Sequence, residues 1–76
     1  MTVTELQDQL LTRLAESTGR GRGHWRRVIG EIRVSDTLRD DGGNWEIRPT
    51  GAYADVQAAQ TAAAGLRENF AVIHAD

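Results

Sequence analysis

Gly19-Arg-Gly-Arg-Gly-His-Trp-Arg-Arg-Val-Ile-Gly-Glu-Ile-Arg-Val34 is the stretch on which the fold turns, because its two halves carry different signals. In the first half Gly19, Gly21 and Gly23 interrupt any regular repeat, which predicts a flexible loop over residues 19–24. From Trp25 the residues alternate. Val28, Gly30, Ile32 and Val34 point one way, and Arg27, Ile29, Glu31 and Arg33 the other. A period of two is the signature of a half-buried strand with a charged outer face. The acidic sequence Asp40-Asp-Gly-Gly43 signals a turn, so a hairpin is expected over residues 25–49. Its second strand holds Trp45 and Ile47 inward and Glu46 and Arg48 outward, and Pro49 ends it or sits on an edge. Leu38 shares the parity of Val34, which would let the first strand run on past Ser35.

Upstream, Val3, Leu6, Leu10, Leu11 and Leu14 recur at steps of three and four, predicting an amphipathic helix over 3–18. Thr2 with Glu5, or Thr4 with Gln7, forms a capping box, and Gly19 falls where a left-handed cap belongs. Downstream, residues 54–69 predict a second helix with a stripe of Val56, Ala59, Ala63 and Leu66 and a cap at Asn69. Its alanines allow close packing. The β-prone run Phe70-Ala-Val-Ile-His74 predicts a third strand. The order α-β-β-α-β describes an α+β domain whose three-stranded, mostly antiparallel sheet has order 2-1-3. The alanine-rich helix covers one face, and Trp45, Ile47, Val56, Leu66, Phe70 and Val72 supply core. The N-terminal helix packs on that face or joins a homodimer through its leucines.

A chain of 76 residues without cysteine makes one small domain. At this length only about 60% of the unfolded surface is buried, and neither disulfides nor thiolate metal sites can add to the core. No basic, apolar leader opens the sequence, and the longest apolar run is residues 62–66, so a soluble cytoplasmic protein without a membrane partner is expected.

All nine basic residues are arginine, which excludes lysine Schiff-base chemistry and a P-loop. Every cation is a planar fork suited to carboxylate or phosphate. Residues 20–33 hold five arginines against the single acid Glu31, a charge of +4; the other 62 residues hold four arginines and ten acids, a charge of −6. The net −2 conceals a basic tongue on an acidic body.

The Gly/Arg run is no dinucleotide loop, because histidine stands at position 24 where the third glycine belongs and the run follows a helix rather than a strand. Arginines spaced by glycine can instead follow a phosphate backbone while Trp25 stacks on an unpaired base, so RNA or single-stranded DNA is one candidate partner. A solubilising loop with Trp25 anchored in the core is the plainer reading. Asp36, Asp40, Asp41 and Glu46 fit no calcium loop and are read as turn residues. His24 and His74 lack companion cysteines, and Ser17 and Ser35 lack a nucleophile elbow. No catalytic residue, metal site or cofactor is expected. The expected partner-binding set is Arg20, Arg22, Trp25, Arg26, Arg27, Ile29, Glu31, Arg33 and Arg48, with Ile29 an apolar anchor among arginines.

The charged hairpin, followed by Gly51-Ala-Tyr-Ala-Asp-Val-Gln-Ala-Ala-Gln60 leading into an alanine-rich helix, gives residues 26–74 a recognisable outline. It resembles the small inhibitors encoded by phages and mobile elements, the anti-CRISPR proteins in particular. The resemblance is one of architecture and composition and carries no functional residue across. It implies a non-enzymatic protein that binds a CRISPR effector complex of a bacterial host and blocks nucleic-acid recruitment.

Overall fold

The computed structural model describes every residue except Arg39, Asp41 and Asp76. Its elements are α1 (Val3–Thr18), α2 (Arg22–Ile29), β1 (Arg33–Val34), β2 (Trp45–Glu46) and α3 (Tyr53–Asn69).

Local chemistry sets both ends of α1. The Thr2 hydroxyl accepts from the Glu5 N–H at 3.2 Å, and the Glu5 carboxylate accepts from the Thr2 N–H at 3.1 Å. Gly19 closes the helix in the left-handed region, at φ 77°. Leu6, Leu10, Leu11 and Leu14 are each no more than 1% exposed, and α1 packs on both α2 and α3. The homodimer expected through these leucines therefore loses its contact surface. The stripe is already buried inside one chain.

The main correction falls on residues 22–29, which form a helix rather than a loop followed by a strand. Trp25, Val28, Ile29 and Ile32 lie three and four apart, and all four are buried. Eight residues cannot sustain a helix alone in water, so tertiary burial holds this one. A fully buried aliphatic side chain contributes about 1.5–3 kcal/mol. The Trp25 indole N–H is satisfied by Thr18 Oγ1 at 3.0 Å. Gly30, at φ 64°, then turns the chain out of the helix.

The hairpin expected over 25–49 consequently shrinks to two antiparallel pairs, Arg33 with Glu46 and Val34 with Trp45. The three-stranded sheet is not what forms. Among the described residues three helices share one core, and a two-stranded ribbon carrying Trp45 closes it. The parity of the second strand does hold: Trp45 and Ile47 are buried, while Arg48 is exposed. Leu38 is exposed and lies outside β1. Asp41, part of the expected turn, lies outside the described residues; Gly42 beside it has φ 86°.

Residues 70–74 also depart from expectation. Their described part makes one isolated parallel bridge, Thr2 with His74, and no regular strand. Asn44 takes the place of a strand neighbour: its Nδ2 donates to the Ile73 carbonyl at 2.8 Å and its Oδ1 accepts the Ile73 N–H at 2.9 Å. The segment thus lies beside the start of β2, not beside β1 as a 2-1-3 order requires. Ile73 is buried and Val72 is 54% exposed, which removes Val72 from the core. At the end of α3 the cap is Phe70, with Asn69 still helical. Asn44→Ala leaves both Ile73 groups unpaired and is expected to cost about 2–4 kcal/mol in urea denaturation. An unchanged midpoint would mean that this bridge is not formed in solution.

Candidate functional site

Two of the nine expected partner-binding residues belong to the core. Trp25 and Ile29 are each 1% exposed, so neither stacks on a base nor anchors a partner. The parity that turned Ile29 outward belongs to a strand, and Ile29 sits in a helix.

Three of the arginines are held by the molecule's own carboxylates. Arg22 reaches from α2 back to α1, donating to Asp8 Oδ1 and to Thr12 Oγ1, each at 2.6 Å. Arg20 lies 3.6 Å from Asp55 Oδ2, and Arg48 lies 3.5 Å from Glu46 Oε1. The Arg22–Asp8 pair is exposed on both sides and is worth about 0–1 kcal/mol, so it positions the side chains without adding much stability. A double-mutant cycle over Arg22→Ala and Asp8→Ala is expected to return a coupling below about 1 kcal/mol. A coupling of several kcal/mol would show that water does not screen the pair.

Arg20 belongs to a cluster that the sequence did not reveal. His24 Nε2 lies 3.1 Å from Asp55 Oδ2 and 3.1 Å from Arg20 Nη1. Asp55 stands in the first turn of α3, where the helix dipole also favours a carboxylate. The His24 ring meets Trp25 edge-on, with centroids 5.0 Å apart. In one tautomer Nε2 donates to Asp55; in the other it accepts from Arg20. Either way the turn between α1 and α2 is tied to α3. No periodic pattern joins residues 24 and 55, so only the folded chain shows the contact.

Arg26, Arg27, Glu31 and Arg33 remain, all exposed and without an ionic partner among the described residues. Arg26 and Arg27 stand on the solvent side of α2 together with Gly23 and Gly30, both of which border open space. This face presents bare backbone flanked by two guanidinium groups. Glu31 and Arg33 lie elsewhere, lining an open cleft of about 860 Å³ with Val3, Gln7 and Ala75. The nine expected residues are therefore dispersed rather than gathered on one hairpin face.

Among the described residues, no group of three His, Cys, Asp or Glu side chains is placed to hold a metal ion. No helix among them is long and apolar enough to cross a membrane. No family model, no curated protein and no solved structure matches this chain.

Proposed function

We propose that this protein is a non-enzymatic binding module whose working surface is the solvent face of α2. One observation carries the reading. Of the three α2 arginines, Arg22 is committed to Asp8 and Thr12, while Arg26 and Arg27 have no ionic partner among the described residues. Two forks on a rigid helix suit bidentate contact with carboxylates, and arginine is enriched where interfaces concentrate their energy. The acidic charge of the rest of the chain favours a protein surface over a polyphosphate. In the setting that the anti-CRISPR resemblance implies, that surface belongs to an effector complex in the bacterial cytoplasm.

The test compares affinity capture from a host lysate by the native chain and by the Arg26→Glu/Arg27→Glu variant. Both side chains are exposed, so the circular dichroism spectrum is expected to stay unchanged. Capture of the specific partner is expected to fall by about tenfold or more. Equal capture by both proteins would overturn the reading.

A second reading, binding of RNA or single-stranded DNA, draws support from one arrangement. Gly19, Arg20 and Gly21 join α1 to α2 in a three-residue turn, and Arg20 in that turn with Arg26 and Arg27 on α2 places several guanidinium groups within a short exposed stretch. Titration of a labelled oligonucleotide separates the two. Nucleic-acid binding predicts a log–log salt slope of about −0.7 for each phosphate neutralised. No binding at low salt would remove this alternative.

A further inference from the structure

We infer that His24 is a proton-operated latch on Arg20. The neutral ring holds the guanidinium against α3; the protonated ring takes Asp55 for itself and frees Arg20. What this does to binding rests on the α2 reading above, whereas the latch itself does not.

The geometry centres on one atom. His24 Nε2 lies 3.1 Å from Arg20 Nη1 and 3.1 Å from Asp55 Oδ2, and Arg20 Nη1 lies 3.6 Å from that same oxygen. A ring nitrogen carries either a hydrogen or a lone pair, never both. Arg20 has only donors, so its bond to Nε2 needs the lone pair that the neutral ring offers in its Nδ1–H tautomer. Protonation puts a hydrogen on both nitrogens. Donor then faces donor, cation faces cation, and the Nε2–H turns wholly to Asp55.

Burial decides which member leaves. The Asp55 side chain is 14% exposed, His24 27% and Arg20 58%. A carboxylate so enclosed keeps a cation beside it, because losing one leaves its charge without compensation. Arg20 is the exposed member, and water solvates its guanidinium once it departs. Its neighbours in the turn, Gly19 and Gly21, border open space. Asp55 from α3 and Arg20 from the turn face the ring, Arg22 is turned away to Asp8 of α1, and Arg27 follows one turn along α2. Three of these four groups are positive, so a further proton on the ring adds repulsion against Arg20. Arg27 is exposed and has no ionic partner among the described residues. The freed Arg20 joins it and Arg26 as a third guanidinium, and binding to an acidic surface strengthens as the pH falls.

A nitrogen-15 NMR titration from about pH 8 to about pH 5 tests the latch without any partner. At the upper end His24 Nε2 is expected to show a lone-pair shift, with slow rotation and slow water exchange at the Arg20 guanidinium. As the ring takes up its proton, Arg20 exchange measured against that of Arg26 is expected to rise by about tenfold. Both changes should share one midpoint. His24→Gln removes the titrating ring and is expected to abolish the Arg20 step. A hydrogen on Nε2 at every pH overturns the inference. So does Arg20 exchange that ignores the His24 titration, or that still steps in the His24→Gln variant. Constant Arg20 exchange would remove the latch and leave the α2 face standing. A working latch with equal capture by the Arg26→Glu/Arg27→Glu variant would remove only the face.

Discussion

Ile29→Asp is expected to unfold the protein. The side chain is 1% exposed in a core built from α1, α2 and α3. A carboxylate placed there without a cation costs several kcal/mol. A domain of this length holds roughly 4–11 kcal/mol in total, so little or no folded population remains. The substitution also separates two folds. A strand from Trp25 would turn Ile29 into solvent, and aspartate there would shift stability by only about 0.5 kcal/mol. Arg27→Asp is the matched control, two residues away and exposed, and is expected to melt close to the native temperature. Circular dichroism melts of the two variants decide the matter. A folded Ile29→Asp protein would show that residue 29 faces water.

Trp45→Ala is the second substitution expected to act on the whole molecule. The ring is fully buried, its indole N–H donates to the Phe70 carbonyl at 2.9 Å, and the Arg67 guanidinium sits 4.6 Å over its face. One side chain thus connects the ribbon to the end of α3. Removing it is expected to cost about 3–5 kcal/mol for the cavity, with a further penalty for the Phe70 carbonyl left without its donor. Trp45→Phe retains most of the ring and loses the donor, for an expected cost of about 1–2 kcal/mol. The urea midpoints should therefore fall in the order native, Phe, Ala. A Trp45→Ala protein with a native midpoint would place the ring outside the core.

The contrast between α1 and α2 shows what was legible in the sequence. The Thr2–Glu5 box, the left-handed Gly19 and the leucine spacing each act within a few residues, and each is present in the fold. The parity of Trp45 and Ile47 is equally local. Residues 25–34 obey two periods at once. Val28 and Ile32 fit either a strand or a helix, and only Trp25 and Ile29 separate the two. The partners that bury them lie in α1 and α3, outside any local window, and that burial overrides Gly23 and a strand-like alternation. The run 70–74 fails for a related reason: the Asn44 side chain, distant in sequence, holds Ile73 and makes a regular strand unnecessary. For the candidate site, the excess of arginine at residues 20–33 was visible, but its partners were not. Asp8 and Asp55 sit on other helices, and only folding shows that they claim Arg22 and Arg20.

The conformation of residues 22–29 decides whether Arg26 and Arg27 share one outward helical face. Backbone and side-chain NMR assignment of this segment is the most direct measurement. Helical Cα shifts are predicted from Arg22 to Ile29, with a cross-peak from the Trp25 α-proton to the Val28 side chain. Extended shifts from Trp25 onward, with cross-strand contacts to residues 45–48, would contradict the account.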